Sequence, residues 1–165
     1  MERIVECVPN FSEGRNEGII KEITDTIEAV AGVKLLDVDP GADTNRTVVT
    51  MVGSPQNVAE AVFQAVKRAA QLIDMRQHRG AHPRFGATDV VPFVPVSGVT
   101  MDDCVKLAGQ VGKRIGEDLG IPVYLYEHAA SRPERRNLSR VRTGEYEGLA
   151  EKLADDEWQP DFGPS

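Results

Sequence analysis

The chain has 165 residues, 41% hydrophobic and 27% charged, with a formal net charge of −7. That length supports one hydrophobic core and leaves no room for two large domains, and the acidic balance argues against a general nucleic-acid binder. No apolar run approaches the roughly 18 residues that span a membrane, and MERIVECV lacks the basic region and long apolar stretch of a secretory leader.

Residues 3 to 8, RIVECV, are rich in β-branched types and predict a strand. Pro9, Asn10, Ser12 and Gly14 break it. From Asn16, apolar residues at Ile19, Ile20, Ile23, Ile27 and Val30 predict a helix, with Gly32 placed as its C-terminal glycine. VKLLDV at 33 to 38 predicts a second strand, DPGADTN at 39 to 45 a turn, and RTVVTMV at 46 to 52 a third strand antiparallel to the second. Ser54 and Pro55 form a helix start, and the periodicity runs on to about Asp74. DVVPFVPV at 89 to 96 is extended, but Pro92 and Pro95 make it an edge strand or a broken one. Thr100 with Asp103 resembles a capping box and opens a helix through Leu119, stopped by Gly120 and Pro122. PVYLYEH at 122 to 128 predicts a last strand.

The order β-α-β-β-α-β followed by α-β predicts an α+β fold. It is a ferredoxin-like two-layer sandwich, mostly antiparallel, with helices on one face and the sheet widened by the extra pair. The globular core is expected over about 1–128. Residues 129–165 form an arginine-rich segment and a tail ending PDFGPS, which reads as a connection toward a further domain.

The stretch HRGAHPRFGATDV at 78 to 90 is the densest in chemistry. Pro83 restricts the backbone of His82, Gly80 and Gly86 permit close approach of a ligand, and an imidazole can accept and donate a proton near neutrality. The plainer alternative is that His82 hydrogen-bonds its own loop. His78 reads as a cation in the last turn of a helix. Asp37, Asp39 and Asp43 crowd one turn without calcium-loop spacing, and three distant histidines match no zinc pattern, so no metal site is expected. Cys7 and Cys104 read as reduced core thiols of a cytosolic protein. Neither a G-x-S-x-G elbow nor a phosphate-binding glycine loop is present. Arg76, Arg79 and Arg84 form one basic cluster, and Arg132, Arg135, Arg136, Arg140 and Arg142 another. On an acidic chain these suit a small polyanion such as a dicarboxylate, with a solvated arginine face as the alternative for the second cluster.

Long blocks then point to a family. IVECVPNFSEG, LLDVD, TNRTV, QLIDMRQHRGAHPRFGATDVVPFVPV, GVTMDDCVKLA, VYLYEHAA and RTGEYEGL resemble, in order, the N-terminal subdomain of the formiminotransferase domain found in glutamate formimidoyltransferases. The resemblance implies transfer of a formimino group from N-formimino-L-glutamate to N5 of tetrahydrofolate, in histidine degradation. The co-substrate would lie in a cleft shared with a C-terminal subdomain. It implies that His82, in HPRFG, is the catalytic histidine. It also implies that Gly163, Pro164 and Ser165, in the DFGP block and just after it, begin a folate-binding loop. YEHAA departs from the more usual YGEAA-like block at Glu127 and His128.

The chemistry suggests further roles. A carboxylate at Asp39 would favour a cationic amidine, Arg84 would hold the carboxylates of glutamate, and Asn10 and Asn45 are weaker binding candidates. The expected partners are the two substrates, a C-terminal subdomain and a second copy in a homodimer, with no nucleic acid and no membrane, in the cytoplasm. The alternatives are formyl transfer between folate and glutamate, and a non-catalytic folate-binding or interaction module.

Overall fold

Alternation of buried and half-buried positions along residues 4–7 and 46–51 orients the sheet before any pairing is considered. The computed structural model describes residues 1–164. Strand β1 (Ile4–Cys7) buries Val5 and Cys7 on one face. Pro9 interrupts the run, and β2 (Asn10–Phe11) continues it. Helix α1 (Glu17–Glu28) starts at Asn16, whose side chain accepts from the Ile19 amide, and it buries Ile20, Ile23 and Ile27. Strands β3 (Lys34–Gly41) and β4 (Arg46–Gly53) follow, then α2 (Pro55–Leu72), capped by Ser54 with proline at its first position. Next come β5 (Thr88–Val90), β6 (Phe93–Ser97) and α3 (Met101–Leu119). The expected capping box of Thr100 and Asp103 is formed at the start of α3, and Gly120 closes it in the left-handed region.

The sheet is antiparallel. β4 pairs with β1 (Cys7↔Met51) and with β2 (Asn10↔Val48), while β6 and β5 pair with the far sides of β1 and β2. β1 with β2, and β6 with β5, are therefore two long extended runs, broken near Pro9 and Pro92. β3 lies on the other edge against β4. The three long helices cover the face that carries Val5, Cys7, Val49 and Met51, so one core forms between helices and sheet. The opposite face bears no helix of this core. On it β4 presents Arg46, Val48, Thr50 and Val52, and β6 exposes Val94 and Val96.

Four expectations change. α1 ends at Glu28, so Gly32 (φ 83) serves the following turn instead of capping the helix. β3 runs on through Asp39 and Pro40, which an edge strand tolerates because a missing donor there costs no ladder bond. The last strand does not form. The Val123 and Leu125 amides donate to the Phe162 carbonyl and to Asp161 Oδ2 instead, so the segment pairs with the tail, and β6 stays at the sheet edge with Pro95 in it. Finally, ordered structure continues past residue 128. Short helices α4 (Leu138–Arg142) and α5 (Leu149–Ala154) fold back, burying Val141 and Arg135.

Candidate active site

Residues 73–87 contain no helix or strand, yet the loop is held from three sides. Asn45, at φ 52, tolerates the left-handed region as asparagine does. Its Oδ1 accepts from the Gly14 amide (2.9 Å), its Nδ2 donates to the Arg79 carbonyl (3.0 Å), and its carbonyl accepts from His78 Nε2 (2.7 Å). The Ala81 amide donates to the Asp43 carbonyl (2.9 Å). A Cβ on Gly80 would lie 2.2 Å from the Thr44 carbonyl oxygen, so this glycine serves backbone packing and leaves no opening for a ligand. Asn45 is thus a buried structural hub. His78 lies beyond the end of α2 and is a buried tie between loops.

Arg84 is also buried, and all five of its N–H donors are taken within the chain. Nε donates to His78 Nδ1 (2.9 Å), Nη1 to Glu145 Oε1 and Glu147 Oε2 (3.1 and 2.8 Å), and Nη2 to Glu147 Oε1 and the His78 carbonyl (2.6 and 3.2 Å). The guanidinium holds the Glu147 carboxyl down to about 2. The expectation that Arg84 grips a substrate carboxylate gives way to this clamp, because no donor remains for a ligand. A second clamp lies close by. Arg142 pairs with the buried Asp89, whose Oδ1 accepts from the Phe85 amide (2.7 Å).

Just before these clamps the chain carries His82, half-buried beside the first residue of β4. His82 Nδ1 lies 2.5 Å from its neighbour's carbonyl at Pro83, and Nε2 lies 2.6 Å from Arg46 Nη1. A proton on Nδ1 would donate to Pro83, while Arg46 Nη1, also 3.3 Å from Nδ1, lies over the face of the ring. Strand register adds two more residues to this end of the open face. Asp39, Val48, Asn10 and Val90 form one cross-strand row, and Arg46 stands two residues from Val48 on the same face. Asp39 is exposed on the edge strand. Asn10 is buried, with Nδ2 donating to the Val8 carbonyl (3.0 Å).

The structure thus gathers His82, Asn10 and Asp39 at one end of the open face, with Arg46 among them. Arg46 was visible in TNRTV, and the alternation of β4 put it on this face, but only the fold of the 78–87 loop brings it to His82. Gly163 and Pro164 lie elsewhere. Gly163 (φ 86) packs against the Ile121 carbonyl, and its amide would sit 2.6 Å from a Cβ on Gly116 of α3, on the helix side. Ser165 lies outside the described residues. Behind the loop, on the helix side, is a cavity of about 540 Å³ walled by Phe85, Val90, Val111, Ile115, Tyr126 and Val141. Burial there pushes the Tyr126 hydroxyl up to about 12.

The family model described as formiminotransferase domain, N-terminal subdomain, matches residues 4–165. The chain is 56% identical over 165 residues to a formimidoyltransferase-cyclodeaminase of Rattus norvegicus, covering 100% of this chain and 30% of the relative. It is 54% identical over 165 residues to the protein of the same name in Dictyostelium discoideum, covering 100% and 31%. It is 52% identical over 163 residues to a glutamate formimidoyltransferase of Streptococcus pyogenes serotype M1, covering 99% and 54%. The chain therefore spans between about a third and about half the length of these relatives. It belongs to the formiminotransferase N-terminal subdomain family.

Proposed function

We propose that this chain is the catalytic half of a glutamate formimidoyltransferase. On this reading it moves the formimino group of N-formimino-L-glutamate to N5 of tetrahydrofolate, with His82 as the proton carrier. The observation that carries the proposal is the imidazole of His82, its Nδ1 at 2.5 Å from the Pro83 carbonyl, held on a clamped loop at the open face of the sheet. N5 attacks the amidine carbon, the new C–N5 bond forms, and Nε2 takes the proton that N5 loses. The imidazolium then returns that proton to the glutamate nitrogen, the old C–N bond breaks, and glutamate leaves as the amine. Asp39, in the same cross-strand row as Asn10, would favour the cationic amidine, and Asn10 would border the same site.

The names of the relatives and the shared domain support the donor and the folate acceptor. The strand order β3, β4, β1 with β2, β6 with β5 supports a ferredoxin-like reading of the sandwich. The exposed Val94 and Val96 support a second subdomain, or a second copy, covering the open face and completing the cleft. Folate would then reach it from the chain that follows Gly163 and Pro164. Among the described residues no helix is long and apolar enough to cross a membrane, in keeping with a proposed cytoplasmic setting.

The test is transfer from N-formimino-L-glutamate to tetrahydrofolate by the whole protein and by its His82→Ala variant. We expect the variant to lose at least a hundredfold in kcat, the usual range for a proton carrier, while keeping its melting temperature. Unchanged turnover would remove His82 from the mechanism.

A further inference from the structure

The peptide group between Pro83 and Arg84 is held at both ends. Its carbonyl lies 2.5 Å from His82 Nδ1, and its N–H donates to Glu145 Oε1 at 3.2 Å. The bond is trans, so oxygen and hydrogen leave opposite edges of one plane. A single peptide thus stands between a carboxylate and the imidazole. A carbonyl oxygen can only accept, so the contact with Nδ1 calls for the ring proton on that nitrogen. The neutral ring then has its unprotonated nitrogen at Nε2, the atom the proposed transfer uses.

Charge pairing with Arg84 does not by itself account for Glu145. Glu147 already holds that guanidinium through two bonds of 2.6 and 2.8 Å, whereas Glu145 reaches it with one at 3.1 Å. What Glu145 alone supplies is the acceptor for the Arg84 amide. Its backbone is also unusual. At φ 51 it occupies the left-handed region, which costs a residue other than glycine and persists where the surroundings enforce it.

We propose that Glu145 is a positioning residue for His82, acting through the Pro83–Arg84 peptide. This rests on the transferase reading above and adds the group that orients its base. A carboxylate on the N–H polarises the amide and makes its carbonyl a stronger acceptor. The stronger acceptor keeps the proton on Nδ1 and the ring in one orientation, as a carboxylate bonded directly to an imidazole does. Glu145 lies 61 residues beyond Arg84, so docking of the tail and readiness of the base are one event.

The experiment is nitrogen-15 NMR of the His82 imidazole in the whole protein labelled at histidine, at a pH where the ring is neutral. The proteins compared are the wild type, Glu145→Ala, Glu145→Gln and Glu147→Gln. The wild type should show the Nδ1–H tautomer, and Glu145→Ala a mixture with Nε2–H. Glu145→Gln keeps an oxygen acceptor and should retain most of the Nδ1–H form. Glu147→Gln alters the pairing of Arg84 without touching the amide contact, and should match the wild type. In turnover, Glu145→Ala should lose about tenfold to a hundredfold in kcat, the scale for removing a group that orients a functional imidazole. Its KM for N-formimino-L-glutamate should stay nearly unchanged, and Glu145→Gln should recover part of the loss. An Nε2–H tautomer in the wild type would overturn the proposal, whatever the stability of the variants. So would a Glu145→Ala spectrum identical to the wild type, or a Glu147→Gln spectrum shifted as far as that of Glu145→Ala. If the spectra respond as expected but the wild-type protein transfers no formimino group, the positioning role stands and the transferase reading falls.

Discussion

Glu147 is a strongly perturbed carboxylate on the surface. Hydrogen bonding to Arg84 first, then a backbone hydrogen bond and the charges of Arg84 and Arg79, lower it from 4.5 to about 2. A depressed carboxyl stabilises the fold above its unfolded value, and the contribution fades as pH falls toward the folded one. The window is thus between about pH 4.5 and 2. We expect Glu147→Gln to remove part of the acid sensitivity of the wild type, read as urea midpoints at pH 6 and pH 3. Equal losses in both proteins would contradict the clamp. Local residues of the site were legible in sequence: His82 stands out because proline follows it and arginine and glycine surround it. The partners of Arg84 were not, since Glu145 and Glu147 lie 61 and 63 residues away and nothing in local spacing marks them. The departure at Glu127 acquires a physical meaning only in the structure. Its φ is 54, a conformation that glycine adopts without penalty and other residues do not.

At the scale of elements, periodicity located the helices because each buries one stripe against the sheet. It also located the strands whose alternation faces a single core. It failed where hydrogen-bond partners are distant. The 122–128 segment looks like a strand by composition, but its amides are answered by Phe162 and Asp161 of the tail. That docking depends on a bare backbone at Gly116, where a Cβ would lie 2.6 Å from the Gly163 amide. Alanine is favoured over glycine inside a helix by about 1 kcal/mol, but overpacking against rigid backbone costs about 1–3 kcal/mol. The clash should win. Gly116→Ala should therefore leave α3 formed and release the tail, seen as faster hydrogen exchange at the Val123 amide and earlier proteolytic cleavage after residue 154. Exchange slower than wild type would show that the helix term dominates.

For the whole molecule, the decisive feature is a sheet with helices on one face and a candidate site on the other. An antiparallel sheet can leave one face to solvent, but here that face exposes Val94 and Val96 and carries His82 with Arg46, Asn10 and Asp39. The chain also matches only 30% to 54% of the length of its relatives. These facts support a cleft completed by a second subdomain. The class of fold could be read from the order of elements, whereas the role of the tail could not, because its clamps on the 78–90 loop join residues far apart in sequence. The most direct measurement is formimino transfer to tetrahydrofolate by this 165-residue chain, alone and mixed with the C-terminal half of the Streptococcus pyogenes relative. The account predicts turnover in the mixture, absent from either half and abolished by His82→Ala. Folded halves that associate yet transfer nothing would contradict it.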